Sequence, residues 1–136
     1  MQHLKIFTDG GSRGNPGEAA IGVIIVNDED GTKIGEISER IGVATNNVAE
    51  YKAVLRALEY VEENFGKSQI DFILDSELIV KQLLGSYKVK NQDLKVLYYR
   101  IKEKIISLGG ESSFTAVKRE KNIEADSLVN KALDGK

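Results

Sequence analysis

Apolar and polar positions change rhythm several times along the chain, and each change marks an expected element. His3 to Thr8 is a short β-type run that stops at Asp9, and beyond the loop GGSRGNPGE the segment Ala20 to Val26 is apolar and β-branched, as a buried strand requires. Asn27-Asp28-Glu29-Asp30-Gly31 reads as a turn. Thr32 to Ile41 reads as a third strand, its Ile34, Ile37 and Ile41 spaced among polar residues as befits a sheet edge. Short connections between the three imply an antiparallel meander.

From Val48 the period becomes helical, with Tyr51, Val54, Leu55, Leu58, Val61 and Phe65 on one stripe and Gly66 just past its end. Ile70 to Leu74 is a short apolar strand ending at Asp75, and Ser76 to Leu84 forms a helix closed by Gly85. Asp93 to Leu108 repeats the helical pattern, Ser112 to Val117 is a last strand and Ile123 to Leu133 a last helix. The order β-β-β-α-β-α-α-β-α predicts an α/β fold with a mixed sheet: an antiparallel meander extended by strands reached through helical crossovers. With no repeat or linker, residues 1–136 are expected to form one domain.

Composition narrows the chemistry. At 136 residues and 41% hydrophobic content the chain supports one core. Its 19 Lys and Arg against 21 Asp and Glu leave a net charge of −2, so no overall basic field steers it to nucleic acid and any polyanion contact must be local. No apolar run approaches the roughly 18 residues of a membrane span and the N-terminus lacks signal-peptide order, so no membrane contact and a cytoplasmic location are expected. There is no Cys, and His3 is the single His, which excludes thiolate chemistry and Ser-His triads. Isolated as it is, His3 reads as a surface residue. Carboxylates, hydroxyls, amides, Lys and Arg remain.

Three acids fall at element junctions: Asp9 ends the first strand, Asp75 ends the fourth, and Glu50 lies in the first turn of the first long helix. Asp126 sits in the first turn of the last helix. Parallel neighbouring first and fourth strands would bring Asp9 and Asp75 together at the edge where α/β proteins place ligands. Four converging carboxylates repel unless divalent cations neutralise them, and oxygen-only donors favour Mg²⁺ or Mn²⁺. Local explanations compete: Glu50 completes a capping box with Asn47 as N-cap, and Asp75 and Asp126 suit helix N-termini. Asp9 is harder to explain locally, since Gly10-Gly11-Ser12 follows it as a loop whose amides could meet phosphate.

The blocks TDGGSRGNPG (8–17), TNNVAEYKAV (45–54), ILDSELIV (73–80) and NIEADSLVNKAL (122–133) make the chain resemble type 1 ribonuclease H over nearly its whole length. The resemblance implies a five-stranded mixed sheet, three antiparallel strands extended by two parallel ones and flanked by helices. It implies an endonuclease that hydrolyses the RNA strand of RNA/DNA hybrids and leaves a 5′-phosphate and a 3′-hydroxyl. Asp9, Glu50, Asp75 and Asp126 become the metal-binding acids for two ions, Mg²⁺ or Mn²⁺, about 4 Å apart. Asp9 would bridge, Asp75 would serve the nucleophile side, Glu50 the leaving-group side, and Asp126 a looser position. The hybrid is expected against Asn15, Asn46, Asn47 and backbone near Gly10 and Gly11, with Thr45, Asn46 and Asn91 gripping a DNA phosphate.

Departures from the family's fuller pattern matter too. Between Asp75 and YKVKN (87–91) there is no room for the basic handle of some relatives, there is no Trp, and the loop VKREKNIEAD has no His. Arg119 is the candidate substitute; it cannot accept a proton near neutral pH, so its role would be electrostatic. Hybrid affinity would then lean on Lys88, Lys90, Lys95 and Arg100 and on salt. Alternatives are cleavage of RNA/RNA duplexes or RNA–DNA junctions with the same metals, or a non-catalytic hybrid-binding module. A sugar-kinase or actin-like ATPase would need two such domains. No obligate protein partner is implied, and a monomer is expected.

Overall fold

In the computed structural model, which describes residues 1–135, the meander consists of β1 (Gln2–Gly14), β2 (Gly17–Asn27) and β3 (Lys33–Ala44), paired antiparallel in sequence order. β4 (Ser68–Leu74) adds parallel to β1 and β5 (Ser112–Ala116) parallel to β4, giving the strand order β3-β2-β1-β4-β5. The helices are α1 (Asn46–Asn64), α2 (Glu77–Leu83), α3 (Gln92–Ser107) and α4 (Ile123–Leu133), and a 3-10 turn covers Arg119–Lys121. The expected five-stranded mixed sheet and element order are those observed, and the relevant strands are indeed parallel neighbours.

Side-chain alternation along each strand sorts the sheet into two faces. Leu4, Ile6, Ile21, Val23 and Ile25 join residues of α1, α2 and α3 in the main core. On the other face Ala20 packs with Val129 and Leu133 of α4. The buried Tyr51 hydroxyl donates to Gln82 Oε1 at 2.8 Å and locks α1 to α2, while Phe72 and Phe114 stack at 5.0 Å between β4 and β5. Among the described residues no helix is long and apolar enough to cross a membrane.

Several expected boundaries move. The first strand does not end at Asp9; β1 runs on to Gly14 and pairs with β2 down to Gly14 opposite Gly17, so the segment 10–14 is ladder rather than loop. Apolar side chains stop at Phe7, but backbone pairing needs none, and small residues at Ala19 and Ala20 continue the hairpin. The Asn15–Pro16 peptide at its tip is cis. The third strand likewise extends to Ala44. α1 starts earlier than its apolar stripe, because Thr45, not Asn47, is the N-cap: its Oγ1 accepts from Val48 N at 3.2 Å. Glu50 therefore lies beyond the first turn and takes no part in a capping box.

Candidate active site

β1 and β4 run in parallel register through Phe7 opposite Ile73, which sets Asp9 and Asp75 side by side at the ends of their apolar stretches. Both long approaches to this point are controlled by glycine. A Cβ on Gly10 would lie 2.3 Å from the Ala49 carbonyl, so only glycine lets α1 press its backbone onto β1 and deliver the next residue, Glu50, to the site. Gly22, directly across from Asp9, does the same for α4: a Cβ there would lie 2.2 Å from the Ala125 carbonyl oxygen, and the next residue is Asp126. Sequence reasoning missed Gly22; its signal was a glycine inside an otherwise apolar β-branched strand, which marks close backbone approach.

The result is a compact anionic centre. Asp9, Glu50 and Asp75 each place a carboxylate oxygen within 4.8 Å of the others. Asp9 and Glu50 are each only 7% exposed. Asp126 lies outside that tight trio, yet its charge reaches both Asp9 and Asp75. Burial, followed by the Asp75 charge, pushes the Asp9 carboxyl up from 3.8 to about 7. Burial and then the charges of Asp9 and Asp75 raise Glu50 well above the usual carboxylate range, although the Gly10 amide donates to its Oε1 at 2.5 Å. Burial raises Asp75 as well, opposed by Asn122 and by the Arg119 guanidinium. Arg119, expected in a plain loop, occupies the 3-10 turn before α4, close enough to act on Asp75.

Asn122 is a second residue that sequence reasoning missed. It is 1% exposed, its Nδ2 donates to the Thr8 carbonyl at 2.9 Å, and its own carbonyl accepts from Asp126 N, so it ties the start of α4 to the end of β1. Its side-chain partner, Thr8, lies 114 residues away in the chain, so no local pattern marks this role.

These donors suit a hard divalent ion. All are oxygens, two are buried, and burial with neighbouring carboxylate charge holds Asp9 and Glu50 above the usual carboxylate range, a penalty that a cation would offset. Asp9, Glu50 and Asp75, with Asp126 on the rim, are the residues that would hold Mg²⁺ or Mn²⁺.

Polar residues from the hairpin tip and two helix starts meet beside this centre. Asn15 Oδ1 accepts from Asn46 N at 3.0 Å, and Asn46 Oδ1 accepts from Ser12 N at 2.9 Å. Their amide oxygens are thus engaged in positioning, and the side-chain NH₂ groups make no hydrogen bond among the described residues. The expected amide cradle at Gly10-Gly11-Ser12 is not present: these residues are in strand, with the Gly10 amide on Glu50 and the Ser12 amide on Asn46. Thr45, Asn47 and Asn91 line one cleft with Asn15, together with Asp93. Asn91 caps α3, its Oδ1 accepting from Leu94 N at 3.1 Å.

A family model described as reverse transcriptase-like matches residues 7–132. The chain is 42% identical over 131 residues to ribonuclease HI of Halobacterium salinarum, covering 96% of this chain and 64% of that protein. It spans a smaller share, 35%, of a bifunctional protein of Mycobacterium tuberculosis, at 38% identity. Among solved structures it is similar to LC11-RNase H1, isolated from compost by a metagenomic approach, with a TM-score of 0.92 and 45% identity over 99% of this chain and 98% of that one. LC11-RNase H1 in complex with an RNA/DNA hybrid matches with a TM-score of 0.91 at 43% identity, covering 97% of each chain.

Proposed function

Because the chain belongs to the type 1 ribonuclease H family, we propose that it is an endonuclease hydrolysing the RNA strand of RNA/DNA hybrids with the help of two Mg²⁺ or Mn²⁺ ions. The observation that carries the reading is the convergence of Asp9, Glu50 and Asp75 within 4.8 Å at a half-buried sheet end, beside free amide donors. The relative that has been seen with an RNA/DNA hybrid supports the substrate. Residues 1–136 act as one catalytic domain, as a monomer and without an obligate protein partner.

Divalent ions held there would polarise the phosphoryl group and lower the pKa of an attacking water. The protein's own residues set the conditions. Asp9, within 4.8 Å of both other acids, would be the shared ligand; Glu50 is oriented by the Gly10 amide; the Asn122 amide and the Arg119 charge favour the ionised form of Asp75. Asp126, outside the trio, would be the weaker ligand, suited to easing product release. Arg119 steadies charge on the phosphoryl oxygens and on the departing 5′-phosphate. The amide NH₂ groups of Asn15 and Asn46 face the hybrid as donors to 2′-hydroxyls, which only the RNA strand has. Thr45, Asn46, Asn47 and Asn91 seat a phosphate of the DNA strand, and strand cleavage leaves a 5′-phosphate and a 3′-hydroxyl.

The test is a matched set of hybrid, RNA duplex and DNA duplex, each with Mg²⁺, Mn²⁺ or chelator. Cleavage of the hybrid's RNA strand with either ion and none with chelator is expected. A hybrid left uncut at every salt concentration would reject the proposal, and preferential cutting of the RNA duplex would reject the substrate assignment.

A further inference from the structure

The other end of the sheet carries a second convergence of metal-ligating groups. His3 near the start of β1, Asp28 just past the end of β2 and Asp71 in β4 come from three adjacent strands, and one ligand atom of each lies within 4.8 Å of the others. Six residue steps along β1 lead from His3 to Asp9, roughly 20 Å at about 3.3 Å per step. This cluster is therefore not part of the acidic centre.

His3 is not the free surface residue expected of an isolated His. Its Nε2 is buried and makes no hydrogen bond, although the ring as a whole stays 37% exposed. Two carboxylate oxygens face that nitrogen, Asp28 Oδ2 at 3.3 Å and Asp71 Oδ2 at 3.5 Å. A proton on Nε2 could point to only one of them. Neither acid pairs with a Lys or Arg among the described residues, so two carboxylates share one imidazole. The second oxygen of Asp71 accepts from the Ser113 hydroxyl at 2.7 Å, which fixes the carboxylate with Oδ2 turned to His3. Asp28 is held as well, its amide donating to the His3 carbonyl at 3.0 Å.

We propose that His3, Asp28 and Asp71 form a second cation site, specific for a zinc-class divalent ion, that clamps the ends of three strands. Zinc bound by imidazole nitrogen and carboxylate oxygen at about 2.0–2.2 Å has neighbouring ligand atoms about 3.3–3.5 Å apart in a tetrahedron. The two His3 distances match that edge. One ion would serve both carboxylates, cancel their charge and satisfy the orphaned nitrogen, leaving its fourth position to water. The imidazole donor sets the site's preference: it favours Zn²⁺, where the oxygen-only centre around Asp9 favours Mg²⁺ or Mn²⁺.

Since His3 is the only His in the chain, its imidazole C–H resonances in the untagged protein report on the site without assignment ambiguity. Zn²⁺ titrated in the presence of excess Mg²⁺ should shift or split them to a bound form at one equivalent. Resonances unmoved by Zn²⁺ would overturn the proposal. Calorimetric titration with Zn²⁺ of the Asp9→Asn protein, whose oxygen centre is weakened, should show one site, with affinity falling at least about tenfold on adding Asp71→Asn or His3→Gln. Unchanged affinity in both would equally overturn it. Hybrid cleavage does not enter either readout, so failure here leaves the nuclease reading standing.

Discussion

Asp9→Asn removes a charge that the metal-free fold holds at a disadvantage, and the penalty can be measured as stability. The Asp9 carboxyl, ordinarily near 3.8, titrates at about 7 in the folded chain, chiefly from burial and the neighbouring Asp75. Between those two values the folded state keeps a proton that the unfolded state has released. It binds more protons there, so stability of the metal-free protein falls as pH rises through the window. At about 1.4 kcal/mol per pH unit the gap amounts to up to about 4 kcal/mol, fully present above pH 7 and absent well below pH 4. Asparagine keeps the shape and carries no charge, so the variant escapes the penalty.

The assay is thermal unfolding of both proteins in chelator from about pH 4.5 to about pH 8. The Asn variant should melt only slightly above the wild type at the acid end, and up to about 12–20 °C above it at the alkaline end, given about 3–5 °C per kcal/mol for a domain of this size. Adding Mg²⁺ at the alkaline end should raise the wild type more than the variant, because the ion binds the folded carboxylates and the variant has lost the central one. Hybrid cleavage by the variant should be abolished. A melting difference that stays flat with pH would refute the claim that Asp9 is held against ionisation, whatever the activity does.

Arg119→Ala should lower hybrid turnover by about 10- to 1000-fold with little change in melting temperature; single-turnover rates equal to wild type would return Arg119 to the solvated surface. Gly10→Ala places a methyl 2.3 Å from the Ala49 carbonyl, so urea unfolding should show a loss of about 1–3 kcal/mol or more, and an unchanged midpoint would mean that α1 does not rest on β1 as described. Asp93 lines the cleft with Thr45, Asn47 and Asn91 and is also the first-turn acid of α3. Asp93→Asn should therefore tighten hybrid binding a few-fold at low salt, an effect that fades at high salt, while weakening α3 by about 0.5 kcal/mol. Equal affinity of the two proteins in a low-salt titration would show that no phosphate enters that cleft.

The legible parts of this protein were those written in side-chain periodicity. The order of nine elements followed from apolar runs and their punctuation, whereas the meeting of Asp9 with Asp75 followed only on the condition that β1 and β4 pair in parallel, as they do. Boundaries failed where backbone pairing outlasts apolar side chains, as in residues 10–14 of β1, because ladder hydrogen bonds leave no mark on composition. Asn47 looked like an N-cap because Glu50 stood three residues on, yet Thr45 captures the Val48 amide. The same error placed Glu50 in a first turn and offered it a local purpose that it does not serve. His3 misled for a similar reason: an isolated His carries no signal, since its partners Asp28 and Asp71 lie on other strands.

What converts four scattered acids into one centre is a property of two glycines rather than of the acids. Burial first, and then repulsion from the neighbouring carboxylates, opposes charge at Asp9 and Glu50 and raises both. The approach is enforced because α1 and α4 each lay backbone directly on the sheet, at Ala49 over Gly10 and at Ala125 over Gly22, and in both helices the following residue is the acid. Ala49 and Ala125 are fully buried, so neither contact can slide without opening the core. Packing energy spread over the helices thus holds together charges that would separate if free. Divalent cations bound among these carboxylates would relieve that repulsion. A centre built this way is stiff in its protein scaffold and deficient in charge, and those two features together suit metal-assisted hydrolysis better than they suit a passive binding surface.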